Sequence, residues 1–374
     1  TEVKAALKAA SVRAESFTGT LLAEPFAVET QAGDYYKVYT PYSRTVFEML
    51  DPGEPLPAPD RWPSPESWPE SASIDDLGLE REMRRGAAVV AAHAAIGERA
   101  ARERLDWFLE EAVGAYGDQR DRMDRDGTSR LAAHFSTGEL SPRSAWRATK
   151  IAMERNPRCE AGAQVFLKEI VWREFAWHLL YHTPHLATRN WREKWDEFPW
   201  REDNDDAEQW RRGRTGVPIV DAAMRELYVT GVMHNRARML CASYLTKNLL
   251  IDWRVGEAWF RDCLVDWDLA SNAMGWQWAA GSGPDAAPYF RIFNPETQAK
   301  KFDPKGAYVA RWLPEYANTE MGSAAHPDGL SFFDACPKSW GLSADDSYPD
   351  PALPLSEGRK RALEAFETLQ ESAS

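Results

Sequence analysis

Gln164-Val165-Phe166-Leu167-Lys168-Glu169-Ile170-Val171-Trp172-Arg173-Glu174-Phe175-Ala176-Trp177-His178-Leu179-Leu180-Tyr181 repeats apolar residues at steps of three and four, and Pro184 follows close behind. That spacing predicts an amphipathic helix over 164–181 that stops before the proline. The same period extends in both directions. Ser141-Pro142 reads as an N-cap followed by proline at the first helical position. Pro218–Tyr228, Asn235–Asp252 and Glu257–Leu264 are further helices. Upstream, Glu80–Tyr116 is Ala-, Arg-, Glu- and Leu-rich with an apolar stripe through Trp107, Phe108, Ala112 and Val113. Gly127-Thr128-Ser129 interrupts before Leu131–Phe135 resumes, and no period of 20–50 residues recurs, which excludes a solenoid.

The first 50 residues read differently. Thr20-Leu21-Leu22 and Tyr35-Tyr36-Lys37-Val38-Tyr39-Thr40, each running into a proline segment, suggest short strands, and two strands alone make no stable sheet. Residues 51–70 hold seven prolines and read as an extended linker. The predicted organisation is therefore mainly α: residues 1–50 as the last piece of an α/β domain, 51–80 as a Pro-rich linker, and 81–374 as one large helical domain.

In the 374-residue chain, 44% hydrophobic and 28% charged residues give an ordinary globular balance. No run approaches the roughly 18 apolar residues of a membrane helix. Thr1-Glu2-Val3-Lys4 shows no basic-then-apolar signal, so a cytoplasmic monomer without a membrane partner is the expectation. The four cysteines form neither a disulfide framework nor a zinc pattern. His178, His182 and His185 lie close together without the H-E-x-x-H pattern, so a polar helix end is expected there and no metal. The net charge of −13 disfavours nucleic acid at first sight. Yet residues 51–82 hold nine acids against two basic residues, and 315–374 hold eleven against four. The rest is nearly neutral, with basic windows at 141–174 and 225–247, so a basic face for DNA is allowed. Seventeen tryptophans, eleven of them between Trp172 and Trp278, exceed what a core needs and suggest planar ligands or electron transfer.

No Walker A or G-x-G-x-x-G sequence is present. Gly127-Thr128-Ser129-Arg130-Leu131 offers hydroxyls, a guanidinium and amides for an anion, though simple N-capping by Ser or Thr is the commoner use of such a turn. Glu169, Trp172 and Arg173 share a helical face able to grip a planar ligand, although spacing alone favours an exposed salt-bridged face with Trp172 half buried. Asp266-Trp267-Asp268-Leu269-Ala270-Ser271-Asn272, with Gly275-Trp276-Gln277-Trp278, reads as a polar, aromatic loop ahead of a helix.

Taken together, Thr128–Leu131, Ser141-Pro142-Arg143, Trp172-Arg173-Glu174-Phe175, Thr215-Gly216-Val217-Pro218-Ile219-Val220-Asp221-Ala222-Ala223-Met224-Arg225, His234-Asn235-Arg236, Asp266–Asn272 and Trp276-Gln277-Trp278-Ala279-Ala280 through Tyr289-Phe290-Arg291-Ile292-Phe293-Asn294-Pro295 strongly resemble the photolyase/cryptochrome family. The ordered match runs from about Lys37 to about Tyr316. The resemblance implies a helical domain that holds a U-shaped FAD and opens onto DNA. It assigns Tyr116, Thr128, Ser129, Arg130, Leu131, Ala132, Phe166, Arg238, Asp266, Asp268 and Asn272 to the cofactor, with Ala132 where many relatives have Ser and Phe166 where Trp is frequent. Asn272 would face flavin N5. Glu169 and Asn235 would bind thymine edges, Trp172 and Trp278 would stack on a cyclobutane pyrimidine dimer, and Met239 would pack beside it. Asn235 and Met239 stand where (6-4) photolyases place two histidines, and neither cycles a proton near neutral pH. Arg120, Arg173, Arg236, Arg291 and Gln298 would contact DNA around the lesion, and Trp276, Trp253 and Trp200 would relay electrons to the flavin.

The same resemblance implies a light-driven lyase acting on damaged DNA, with a cryptochrome-like blue-light sensor as the alternative. A folate or deazaflavin antenna is left open, because only the end of the α/β domain that carries it is expected in these residues.

Overall fold

The structure is a computed structural model, and it describes residues 2–15, 17–79, 86–285, 290–322 and 324–371. Its helices follow one another as α1 Glu2–Ala9, α2 Tyr39–Met49, α3 Ala87–His93, α4 Glu98–Trp107, α5 Tyr116–Gln119, α6 Ala132–Thr137, α7 Pro142–Arg155, α8 Glu160–His182, α9 Asp205–Arg211, α10 Pro218–Thr230, α11 Asn235–Ser243, α12 Trp253–Cys263, α13 Leu269–Ala280, α14 Pro295–Phe302, α15 Ala307–Trp312, α16 Pro314–Tyr316, α17 Pro327–Ala335 and α18 Leu355–Glu371. Among the described residues the only β-type pairing is a bridge between Arg201 and Ile251. No helix there is long and apolar enough to cross a membrane.

The start expected at Ser141-Pro142 is observed, and two further caps come from aspartates that the sequence did not mark as helix starts. Ser141 accepts the Arg143 amide at 3.3 Å with Pro142 at the first position of α7. Asp252 caps α12 through the Arg254 amide (2.8 Å), and Asp268 caps α13 through the Ser271 amide (2.7 Å). Several expectations change. The strands read at 20–22 and 35–40 do not form: 20–22 is a bend, and Tyr39 opens α2. Pro41, taken as a strand end, sits in the first helical turn, where its missing N–H costs nothing. The helix expected over 235–252 ends early: α11 stops at Ser243, a π turn covers Tyr244–Asn248, and α12 starts at Trp253 behind its Asp252 cap rather than at Glu257. The helical segments expected over 80–116 are short. Residues 80–85 lie outside the described residues, and the rest is α3, α4, a π turn at Phe108–Ala112 and a 3-10 turn at Val113–Ala115. Finally, Ser271, Asn272 and Gly275–Trp278 belong to α13 rather than to a loop before it.

Helix α8 is central rather than amphipathic, because polar partners from the N-terminal segment cover its second face. The Glu174 carboxylate, buried, accepts the Leu22 amide at 2.7 Å, and Arg173 donates to the Thr20 carbonyl at 2.9 Å. The His178 imidazole lies between the Tyr36 amide (3.1 Å) and the Pro25 carbonyl (3.2 Å). His178 is thus a core histidine, not part of a polar helix end. Two apolar cores flank this arrangement. One gathers α8 with Tyr42, Val46, Leu105, Phe108 and Trp146; the other gathers α9–α12 with Trp312 and Phe332. Helix α13 serves both, with Ala270 in the first and Trp276 in the second. In the second core, Arg225 forms a two-pronged buried pair with Glu315 at 2.8 and 2.5 Å.

Candidate functional site

The shared helix α13 sets the site. Asp268 caps it and also accepts the Trp177 indole N–H at 2.8 Å. One turn on, Asn272 donates its amide to the Glu257 carboxylate at 3.1 Å. Gly275 follows at the next step of three, exposed, with no atom within 4 Å of where a Cβ would stand. Asp266, buried ahead of the cap, takes the Arg238 guanidinium on Oδ2 at 2.6 Å, while its buried Oδ1 has no partner. Arg238 is fixed in turn by donating to the Met233 carbonyl at 2.8 Å.

The 127–131 loop is built by a residue that the sequence did not single out. Arg104 on α4 donates to the carbonyls of Thr128 (2.5 Å) and Ser129 (2.9 Å), and its other prongs hold Asp126 at 2.9 and 2.7 Å. Arg130, in the left-handed region at φ 54°, reaches the same Asp126 at 3.1 Å. Leu131 is buried as the anchor, and Ala132 begins α6. Tyr116 and Phe166 meet edge-to-face at 6.0 Å beside Phe108.

These residues fit FAD. A half-used buried carboxylate beside a guanidinium suits an adenine or ribose donor, a loop with hydroxyls and Arg130 suits phosphates, and the open face of α13 at Gly275 admits a flat ring.

The lesion-pocket candidates fall in two groups. On α8, Glu169 is held in an ion pair with Arg120, and Trp172 lies face to face with Tyr39. On α11, Asn235 at the first position is exposed and its amide contacts the Met239 sulfur at 3.8 Å. Trp278, half-buried near the end of α13, has Phe293 at 6.5 Å. The neighbouring His234 caps α11, its Nδ1 accepting the Arg236 amide at 3.1 Å. Burial pushes its pKa down to about 4, so the ring is neutral near pH 7.

Among the expected DNA contacts, Arg236 pairs with Asp121 at 2.6 Å over the Phe302 ring. Arg291 is exposed beside Phe293, and Gln298 lies on α14. Arg173 stands apart, since its 13%-exposed side chain is spent on Thr20 and Glu174.

Of the three expected relay tryptophans, Trp276 and Trp253 are buried in the same core and Trp200 is half-buried against it. Trp276, 2% exposed, packs against Phe260 at 4.9 Å and against Gly256 of α12, where a Cβ would lie 2.0 Å from its ring. Trp253 opens α12, fully buried, with its N–H on Asn190 at 2.9 Å. Trp200 is half-buried, and the Arg201–Ile251 bridge draws its segment toward that of Trp253. Glu257, Trp177, Asp121 and Arg104 are the supporting residues that sequence reading missed. Their only signal is charge or an indole, and their partners lie far along the chain.

Comparison with known proteins follows the same lines. The family profile described as the FAD binding domain of DNA photolyase matches residues 166–368, and the DNA photolyase profile matches 1–60. A deoxyribodipyrimidine photo-lyase of Agrobacterium fabrum is 42% identical over 370 residues, covering 99% of this chain and 76% of its own length. The solved structure of a bacterial class III photolyase from Agrobacterium tumefaciens superposes with a TM-score of 0.86 at 40% identity, over 99% of this chain and 76% of that one. A cryptochrome from Synechocystis gives 0.72 at 28% identity, over 96% and 74%. By helix order, by the residues gathered on α13 and by these relatives, the chain belongs to the DNA photolyase family of FAD-binding lyases.

Proposed function

We propose that the chain repairs cyclobutane pyrimidine dimers in DNA under light, with FAD as cofactor and the dimer turned out of the duplex between α8, α11 and α13. The observation that carries this reading is the state of the α11 start. His234, the one histidine there, is a neutral cap, and Asn235 and Met239 hold no titratable proton. A cyclobutane dimer needs an electron and a hydrogen-bonding clamp; a (6-4) product needs an acid as well.

In this proposal Tyr116, Thr128, Ser129, Arg130, Leu131, Ala132, Phe166, Arg238, Asp266, Asp268 and Asn272 hold the cofactor. FAD, when bound and reduced, supplies the light-driven electron, which the protein's groups do not provide. Glu169 and Asn235 present acceptor and amide to the pyrimidine edges, and the Arg120 pair fixes the Glu169 carboxylate in place. Trp172 and Trp278 offer apolar planes, and Met239 a soft, polarisable wall. Photolyases are among the enzymes that take the target base out of the stack, and a distorted dimer lowers the cost of doing so. Arg120, Arg236, Arg291 and Gln298 flank the opening and position the backbone, giving salt-sensitive affinity with little sequence preference. Arg173 instead tethers residue 20 to α8. Trp200, Trp253 and Trp276 provide a line of indoles from the surface to the helix that carries Asn272. Residues 1–50, 51–80 and 81–374 are the corresponding proposed units, the first being the end of an antenna domain.

The sensor reading has less support, since it requires no lesion pocket and the cryptochrome relative is the more distant one. The test is blue-light repair of a thymine-dimer oligonucleotide by the FAD-loaded, reduced protein, with a (6-4) oligonucleotide in parallel. Repair of the first alone is expected. Light-driven flavin reduction without repair of either would overturn the proposal in favour of the sensor.

A further inference from the structure

Tyr39, the first residue of α2, lies flat against Trp172, with ring centroids 3.5 Å apart and planes within 4°. One hydrogen bond holds it there. Its hydroxyl donates to the Lys168 carbonyl at 2.9 Å, which is the acceptor position four residues ahead of Trp172 in α8. Asp285 lies close enough for its charge to act on the Tyr39 hydroxyl. Asp285 sits at φ 50°, a strained conformation for a residue with a Cβ, in the segment that follows α13 and Trp278. Phe175 meets both rings nearly edge-on, at 5.9 Å from Tyr39 and 6.0 Å from Trp172. Burial, with Glu169 and Asp285 adding to it, holds the Tyr39 hydroxyl protonated, its pKa pushed up to about 12.

We infer that Tyr39 is a positioning residue of the lesion pocket: by covering one face of Trp172 while bonded to the α8 backbone at Lys168, it fixes the plane against which a pyrimidine stacks. This rests on the proposed role of Trp172. An indole with both faces free rotates about χ1 and χ2 and must be ordered when ligand arrives; one held flat on a tyrosine is ordered beforehand, which lowers the cost of binding. The hydroxyl fixes where the ring sits along α8, while the ring itself does the covering. Phenylalanine should therefore keep most of the effect, and a residue without a ring should not.

The test measures affinity for a dimer-containing duplex and for the same duplex undamaged, using the FAD-loaded protein with Tyr39→Phe, Tyr39→Leu and Trp172→Ala. Tyr39→Leu keeps apolar bulk, and its FAD content and melting temperature identify any general damage. The expected result is dimer affinity about five- to tenfold weaker in Tyr39→Leu, the size of one lost aromatic stack. Undamaged-DNA affinity and FAD content should stay at the parent level, and Tyr39→Phe should fall within about twofold of the parent. Parent-like dimer affinity in Tyr39→Leu, with Trp172→Ala weakened, overturns the inference alone. Parent-like affinity in Trp172→Ala removes the pocket reading and this inference with it. Equal weakening on damaged and undamaged DNA reduces Tyr39 to a packing residue and also overturns it.

Discussion

Gly162, near the start of α8, is pressed against the turn that leads into Tyr116. A Cβ there would lie 1.8 Å from the Val113 carbonyl oxygen, 3.0 Å from its carbon and 3.1 Å from the Gly114 oxygen. Ordinary contact begins near 3.4 Å, so Gly162→Ala demands a shift of about 1.6 Å between α8 and the 113–115 turn. The obstacle is backbone on both sides, and no rotamer relieves it. Overpacking of this kind costs about 1–3 kcal/mol and sometimes more, against a gain of about 1 kcal/mol for replacing a helical glycine by alanine. The upper end applies here, giving a net loss of about 2 kcal/mol, a large share of the 5–15 kcal/mol typical of a folded protein. The same shift moves Tyr116, and Arg120 with it, away from Phe166 and Glu169, so flavin retention should fall as well. Urea unfolding followed by circular dichroism, with the flavin-to-protein absorbance ratio, reads both effects. Gly275→Ala is the control, because nothing lies within 4 Å of its Cβ position. It should stabilise the FAD-free protein by up to about 1 kcal/mol while lowering FAD retention. A Gly162→Ala protein with the parent's unfolding midpoint and flavin content would refute the reasoning.

Two further outcomes follow from particular contacts. His178 is buried with its pKa pushed down to about 4 from 6.5, and its Nε2 accepts the Tyr36 amide. The depressed value means that the neutral ring contributes stability above pH 6.5 that disappears as pH falls toward 4. The limit is about 3 kcal/mol, and His178→Gln should flatten the stability–pH curve in that window; an unchanged slope counts against the N-terminal contact. On the proposed relay, Trp253→Phe should abolish light-driven reduction of bound FAD. Repair by chemically reduced protein should be retained, and parent-like photoreduction removes Trp253 from the path.

Much of this protein was legible along the chain. The three-and-four spacing of 164–181 and the Ser141-Pro142 start are local signals, because an apolar stripe and a cap involve residues within a turn of each other. The blocks from Thr128 to Pro295 likewise name the family by themselves. What they could not carry is which partner covers which face. The 35–40 run reads as a strand until Pro41 is seen inside the first turn of α2, since short apolar runs are ambiguous by period alone. Helix α8 reads as amphipathic until Leu22, Pro25 and Tyr36 arrive from more than 140 residues away to satisfy Glu174 and His178. Arg104 behind the 127–131 loop, Glu257 on Asn272 and Tyr39 on Trp172 are likewise products of packing. Periodicity records that a face is apolar or polar, whereas the identity of what meets it is fixed only when distant segments are brought together, and that is where the geometry of the site was decided.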